Sequence, residues 1–296
     1  MIRNIVQRAS VLSLIFLLST SSSIRRIDYE NARVNNVCKT LSDEVLVYFI
    51  FVDSKETSPW TEFDIRSTID SLEVAVRWLE MKARENNINL KFITDYHIGN
   101  EYTPIRKNLP HGSVFESATE PNLKAGLDAL NNWADNIART AGQSVNMVDK
   151  DGIPEIKNPK DKERLVAFLR DENNVESVAL LYLVNNYFRT DISIPVNFLD
   201  TDDIEFTVIS YKYPTVLAHN ILHLFGAADL FKTPYRRHEK KIERLKQLYP
   251  NDIMQDMYAK SLNNIEIGDY TQYLIGWRDN LDPDLKPYLT DKIYNF

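Results

Sequence analysis

The sequence predicts an α/β fold, in which strands and helices alternate along one domain, and three observations support it. A continuous apolar run, EVLVYFIFV at 44–52, is rich in β-branched and aromatic side chains and suits a strand buried on both faces. A segment of helical periodicity follows over 61–85, and a second apolar run comes at 90–93. This order is typical of a right-handed crossover between two parallel strands.

The elements that follow are predicted from the same periodicities. The first helix is expected to end where Asn86 and Asn87 break its pattern. Residues 97–120 contain two prolines and two glycines with little periodicity, which predicts a loop. Further helices are predicted over 121–141, where apolar residues recur every three or four positions, and over 162–169.

The second half of the chain continues the alternation. Apolar runs at 177–184 and 206–210 predict two more strands, and 216–225 predicts a helix. The basic amphipathic segment 235–249 and the apolar segment YTQYLIGW at 270–277 are expected to be helical. We find no repeat or Gly/Ser linker that would divide the chain, so a single domain is expected.

Composition excludes several classes of protein. The chain has 296 residues, of which 44% are hydrophobic and 26% charged, enough to bury a sizeable core. Its 35 basic and 42 acidic residues give a net charge of −7, which argues against binding nucleic acid through phosphate neutralisation. One cysteine, Cys38, excludes an intrachain disulfide framework and any Cys-rich metal site. A metal site would therefore need histidines and carboxylates.

The N-terminal segment is typical of a secretory signal peptide. Residues 1–23 contain two arginines and no acid, with a short apolar stretch at 11–18 and a run of serines after it. The apolar stretch is shorter than the ~20 residues of a membrane span. We therefore expect a secreted or periplasmic protein, with a frayed helix of a cytoplasmic protein as the alternative. Residues 24–43 are then a short pro-segment or a lead-in to the domain.

One segment, TVLAHNILHLFGAADLF at 215–231, carries recognisable chemistry. His219 and His223 are four residues apart on a predicted helix, so both imidazoles lie on one face and could share a metal ion. The spacing alone also fits a structural pair of histidines. Gly226 lies where the helix would end at positive φ, and a turn there would bring Asp229 back as a third ligand. The alternative for Asp229 is a turn-capping residue.

The pattern His-x-x-x-His-x-x-Gly-x-x-Asp at 219–229 resembles the extended zinc signature of the metzincin clan of metallopeptidases, in the branch whose third ligand is Asp. The resemblance covers about residues 215–254, and the predicted order of elements before it is similar to that of the clan. It implies an α+β zincin with a mixed sheet, long helices and an active-site helix. It also implies an N-terminal subdomain over 44–226 and a smaller C-terminal subdomain over 227–296.

The same resemblance implies a Zn²⁺ site made by His219, His223 and Asp229. Metzincins place a methionine-containing turn beneath the zinc, and Met254 lies at a plausible distance along the chain for it, although an ordinary core methionine is the alternative. Several members have a tyrosine two residues after this methionine. Here Tyr258 is two positions further on, and we regard it as a candidate oxyanion or substrate contact.

The sequence departs from the family at the position after the first histidine. There the family has a glutamate that takes a proton from the attacking water and passes it to the leaving amine, whereas this chain has Asn220. An amide has no basic site at neutral pH, so Asn220 cannot act as a general base. General acid–base catalysis typically contributes about 10²–10⁴-fold in rate. Three explanations remain open: a natural pseudopeptidase, a peptidase that uses Asp252 or Asp256 instead, and an inactivated form of an active enzyme.

Two functions therefore compete. One is a zinc-dependent metallopeptidase that hydrolyses peptide bonds with impaired activity, and the other is a zinc-binding pseudopeptidase that binds peptides or regulates a partner without turnover. Both predict a peptide or protein segment in a cleft along the sheet edge near 177–186, with no nucleic acid and no membrane span in the mature chain. A metal-free scaffold with structural histidines is a third possibility. The sequence makes no prediction about oligomeric state.

Overall fold

The computed structural model describes residues 41–99, 103–110, 123–144, 161–185, 192–196, 204–210, 212–232, 239–256 and 260–290. The predicted signal peptide, residues 24–40 and Tyr258 lie outside this part of the chain. Within it, no helix has both the length and the apolar character needed to cross a bilayer.

The described chain alternates strands and helices, as the sequence predicts. The strands are β1 (Asp43–Asp53), β2 (Leu90–His97), β3 (Ile105–Arg106), β4 (Ser177–Val184), β5 (Ser193–Val196) and β6 (Phe206–Ile209). The helices are α1 (Glu62–Glu85), α2 (Leu123–Ser144), α3 (Asp161–Asn173), α4 (Pro214–Leu224), α5 (Glu239–Leu248) and α6 (Asp269–Leu274), with 3₁₀ turns at Leu262–Asn264 and Pro283–Thr290.

The strands form one mixed sheet in the order β2-β1-β4-β6-β5. β1 pairs in parallel with β2 and β4, β4 with β6, and only β5 runs antiparallel to its neighbour. The short β3 pairs with the last two residues of β1, beyond the end of β2. The α/β class and the parallel pairing of the first two predicted strands are thus confirmed.

The predicted position of the sheet edge is wrong. Segment 177–184 does form a strand, but β4 lies between β1 and β6 and all eight of its residues are buried. A peptide therefore has no free edge there to pair with. The edge on the α4 side is β5, which the sequence did not predict because it has four residues and contains Pro195, a residue that sheets tolerate mainly at edges.

Successive side chains of β1 point to opposite faces of the sheet, so the core has two layers. Val45, Val47, Phe49 and Phe51 face one side of the sheet, where α1, α4 and most buried residues after 227 pack. The intervening residues of β1 face the other side, which α2 and α3 cover. The C-terminal part of the chain therefore shares the core of the α1 and α4 layer.

Leu41, which precedes the predicted start of the domain at residue 44, packs in its core. Leu41 is buried in the same core as α1, and its carbonyl oxygen accepts a hydrogen bond of 2.7 Å from the indole of Trp277. A backbone group near the start of the domain thus satisfies a buried donor from the C-terminal part.

A polar cluster joins the loops at the carboxyl ends of the parallel strands. Thr61 caps α1 in a reciprocal capping box with Asp64. The Asp64 carboxylate also pairs with Lys212, which precedes α4, and accepts a hydrogen bond of 3.3 Å from Asn185, which follows β4. Lys212 lies 5.7 Å from the ring centroid of Trp60. Asp64 therefore fixes the starts of α1 and α4 relative to each other.

We expect Asp64→Asn to lower the free energy of unfolding at neutral pH, and this loss to shrink in acid. Burial alone would raise the pKa of Asp64, but hydrogen bonds from Lys212 and Thr61 and the charge of Lys212 outweigh it and lower the pKa from 3.8 to about 2. A carboxyl group whose pKa is lower in the folded state adds stability above its unfolded pKa of about 4, and this stability disappears as the pH falls through about 2. Denaturant unfolding at neutral pH and at about pH 3 measures the difference.

Glu62→Gln is the matched control, because Glu62 lies in the same helical turn but pairs with Arg66 where both side chains are more than 70% exposed. Exposed pairs contribute little, so this variant should stay close to the wild type. An effect of Asp64→Asn that is the same at every pH would contradict the role of its charge.

Candidate metal centre

Helix α4 presents its two histidines from a largely buried position. It begins with Pro214 in the first turn, where the missing N–H costs no intrahelical bond, and packs Leu217 and Ile221 into the core. One helical turn separates His219 and His223, and their Nε2 atoms lie 2.9 Å apart. The predicted sharing of one face is confirmed.

The end of α4 determines where the third ligand lies. Gly226 has φ +97°, and the N–H groups of Gly226 and Ala227 donate to the carbonyls of His223 and Leu222, each at 3.1 Å. This pair of bonds is a Schellman C-cap, which requires a left-handed residue at this position. A side chain there would also place its Cβ 3.0 Å from the Leu274 carbonyl oxygen. The predicted turn at glycine is therefore present.

After this turn Asp229 reaches back to both histidines. Its Oδ1 lies 3.2 Å from Nε2 of His219 and 3.1 Å from Nε2 of His223. A circle through these three atoms has a radius of about 1.8 Å, which is close to zinc bond lengths of about 2.0–2.1 Å, so the three residues would fit an ion of that size. The group could hold a metal ion.

Backbone carbonyls fix which ring nitrogen faces the centre. Nδ1 of His219 lies 2.8 Å from the carbonyl oxygen of Ile253, and Nδ1 of His223 lies 2.8 Å from that of Ala227. A carbonyl can only accept, so both Nδ1 atoms carry hydrogen, and each ring in its neutral form presents a lone pair at Nε2. Two lone pairs and a carboxylate oxygen thus face one another at about 3 Å, which is stable only with a cation or added protons between them.

The pKa values reflect the close approach of these three side chains. Burial alone would lower the pKa of His219, but its hydrogen bond to Asp229 and the negative charge of that residue raise it above its usual value. Burial alone would raise the pKa of Asp229, yet the charges and hydrogen bonds of His223 and His219 hold it well below its usual range. The carboxylate is therefore ionised, as a metal ligand must be.

The segment around Met254 packs directly against the ligands. Met254 is fully buried, and its carbonyl oxygen accepts a hydrogen bond of 2.8 Å from the N–H of Leu230, the residue after Asp229. The preceding carbonyl, that of Ile253, orients His219. This turn therefore holds two parts of the candidate centre.

The hydrogen bonds of the Asp252 carboxylate stabilise this turn. Its Oδ1 accepts from the N–H of Met254 at 2.7 Å, and its Oδ2 accepts from the N–H of Gly268 at 2.8 Å and the hydroxyl of Thr271 at 2.9 Å. Burial raises the pKa of Asp252 to about 6, although these three hydrogen bonds favour the charged form. Its carboxylate is thus committed to joining the turn to α6, and the neighbouring Asp256 is exposed.

Asn220 is buried against the sheet edge. Its side chain has no exposed area, and its Oδ1 accepts a hydrogen bond of 2.7 Å from the Thr207 hydroxyl on β6. Its Nδ2 donates to the hydroxyl of Ser193 on β5 at 2.8 Å and to the carbonyl of Val216 at 2.9 Å. The amide therefore joins α4 to two strands, a role that needs a donor and an acceptor in the same side chain.

Several contributors to the centre have no signal in the sequence. The carbonyls of Ile253 and Ala227 act through the backbone, which every residue possesses. Ser193 and Thr207 become partners of Asn220 only because β5 folds back beside β6. The sequence offers Asp252 as a candidate base, and only its contacts reveal its structural role.

Comparison with models of known protein families and with curated proteins gave no match to this chain.

We expect Gly226→Ala to destabilise the protein and to weaken metal binding. A non-glycine residue at this φ costs about 1–2 kcal/mol, and its Cβ would press on the Leu274 carbonyl oxygen, displacing the turn that carries Asp229. Chemical denaturation and a competitive metal titration measure the two effects. Ala228→Gly, in the same turn, should lose some stability but keep its metal affinity, so an equal loss of affinity in both variants would contradict this explanation.

Proposed function

We propose that this chain is a zinc-binding pseudopeptidase of the metzincin type, which binds a peptide or protein segment without hydrolysing it. The observation that supports it most is the contrast between two neighbouring positions on α4. His219 meets His223 and Asp229 with their lone pairs converging, whereas the adjacent Asn220 is an amide enclosed in hydrogen bonds. The chain therefore has the residues that would bind metal in a zincin, but it lacks the general base.

The donor set fits zinc, and the resemblance of the 219–229 pattern to the metzincin signature favours zinc over iron. Two neutral imidazoles and one carboxylate match its preference for nitrogen and oxygen ligands, and three protein ligands leave one further position open. The side chains of His219 and Asp229 are 13% and 15% exposed, so the group is reachable from solvent. When bound, zinc would supply Lewis acidity that polarises a carbonyl group. The turn at Gly226 and the segment at Met254 support this assignment, because each holds a ligand in place.

The contacts of the residues around the centre account for the loss of turnover. A general base must come within about 3 Å of the proton it removes, and the described contacts of the Asn220 side chain are with Thr207, Ser193 and Val216. Asp252 is not a substitute, because both of its oxygens hold the turn and α6. These contacts favour the pseudopeptidase over a peptidase of impaired activity and over one that uses another carboxylate.

The site for a bound segment is assigned to the outer edge of β5. This strand contacts α4 through Ser193, and it is the outermost of the described strands on that side. Ile192 exchanges hydrogen bonds with Ser210, so by alternation Ser193 and Pro195 turn their backbone groups outward. A peptide added there finds one N–H and two carbonyls, because Pro195 has no N–H. We expect residues 1–23 to act as a signal peptide that directs export of the protein.

The purified wild-type chain should contain about one zinc ion per molecule, and alanine substitutions of His219, His223 or Asp229 should each abolish stoichiometric binding. Metal analysis by mass spectrometry after gel filtration measures this. His97→Gln is the matched control, since His97 lies at the end of β2 and should leave the zinc content unchanged. Absence of zinc, or iron in its place, would contradict the assignment.

The wild type should show no chelator-sensitive hydrolysis of general peptide substrates, whereas Asn220→Glu should gain it. The carboxylate restores a base worth about 10²–10⁴-fold in rate. Asn220→Gln is the matched control, because it has the length of glutamate without a basic group and should stay inactive. Equal hydrolysis by the wild type and Asn220→Glu would overturn the pseudopeptidase and support an active enzyme.

A further inference from the structure

A second candidate binding site, here called the β1 cavity, lies at the carboxyl ends of β1 and β3. Its volume is about 600 Å³, and its walls are the loop residues 53–55 with Pro59 and the segment 106–108. β6 is the strand that leads into α4. β1 is two strands away from β6, so the two strands are about 10 Å apart across the sheet. Ligands of open α/β sheets generally bind beyond the carboxyl ends of the strands, and a cavity of this size suits a small organic molecule.

Hydrogen bonds hold the two walls together. The N–H of Lys107 donates to the carbonyl of Asp53 at 2.8 Å and so continues the pairing of β1 with β3. The N–H of Lys55 donates to Oδ1 of Asn108 at 3.2 Å, and the N–H of Leu109 donates to the Ser54 hydroxyl at 3.2 Å. The cavity is therefore preformed, which reduces the entropy that a ligand must overcome.

Trp60 closes the loop behind the cavity. Its indole donates to the Val52 carbonyl at 3.0 Å, and its backbone N–H donates to Oδ1 of Asp53 at 3.2 Å. The Asp53 carboxylate thus has a structural partner. Glu56, which is close in sequence, accepts a hydrogen bond from the Ser54 hydroxyl.

The lining carries three cations against one carboxylate. Lys55, Arg106 and Lys107 are exposed, and none of them forms an ion pair with a described residue. Several cations elsewhere on the surface have carboxylate partners, among them Arg66, Lys91 and Arg139, whereas others such as Arg84 and Lys246 have none among the described residues. The distinctive feature of this lining is that three such cations surround one cavity. In a chain of net charge −7, three cations around one cavity that form no ion pair within the described part of the chain favour a site for negative charge.

We propose that the β1 cavity binds a small organic anion through a phosphate or carboxylate group. Arg106 offers a planar fork of donors that matches either group, and Lys55 and Lys107 add point charges. The Asn108 amide, whose oxygen accepts from Lys55, has its NH₂ group left to donate. Pro59 and the aliphatic parts of the lysines supply an apolar wall for the rest of the ligand.

Calorimetric titration of the full chain with inorganic phosphate, phenyl phosphate and benzoate, at matched ionic strength, tests the proposal. We expect saturable binding of one anion per chain, with phenyl phosphate tighter than inorganic phosphate because its ring contacts the apolar wall. Tighter binding of phenyl phosphate than benzoate assigns a phosphate group, and the reverse order assigns a carboxylate. The double variant Arg106→Ala/Lys107→Ala should weaken binding at least tenfold.

Two matched variants make the result specific. Arg66→Ala/Arg77→Ala removes two cations from α1 and should leave anion affinity unchanged. His223→Ala disrupts the candidate metal centre and should also keep the affinity, so this site and the metal centre can fail independently. The proposal is overturned by the absence of saturable binding up to about 10 mM, by equal weakening in both double variants, or by loss of binding in His223→Ala.

Discussion

The candidate centre depends on the meeting of two imidazole nitrogens and one carboxylate oxygen at about 3 Å. Nε2 of His219, Nε2 of His223 and Oδ1 of Asp229 lie 2.9–3.2 Å apart, and the carbonyls bound to each Nδ1 keep both ring lone pairs directed inward. Such an arrangement is repulsive unless positive charge occupies its middle. The C-cap of α4 and the buried turn at Met254 supply the packing that holds the ligands together against this repulsion.

Asn220 illustrates how a base position can become structural. A carboxylate accepts hydrogen bonds only, so it would face the Val216 carbonyl without a donor, and burying its charge would be costly. An amide satisfies Val216 and Ser193 as a donor and Thr207 as an acceptor in the same place. The side chain that removes the base therefore also allows α4 to pack closely on β5 and β6. Binding of a metal and loss of proton transfer are compatible because they use different residues of one helix.

The carboxyl ends of the parallel strands organise a separate region of the molecule. The loops after β1, β4 and β6 meet there, joined by Asp64 to Lys212 and Asn185. The β1 cavity lies beside this cluster, since Pro59, which lines it, accepts a hydrogen bond of 2.9 Å from Asn185. The crossover topology thus places charged side chains at one end of the sheet. Helix α4 packs on one face of the sheet and carries the two histidines.

The sequence by itself determined those features that depend on local periodicity and spacing. It predicted the buried strands at β1 and β4, the long helix α1, the pairing of β1 with β2, and the convergence of His219, His223 and Asp229 around a turn at Gly226. Each of these follows from side chains a few residues apart or from one rule of chain connection.

Only the tertiary structure decided where β4 and β5 lie in the sheet, because strand order depends on contacts between residues far apart in the chain. It also decided that Asp252 fastens a turn and that Asn220 is enclosed by Ser193 and Thr207, since side-chain roles depend on which neighbours the fold supplies. The cations of the β1 cavity belong to two segments about fifty residues apart, and their proximity comes from the pairing of β3 with β1.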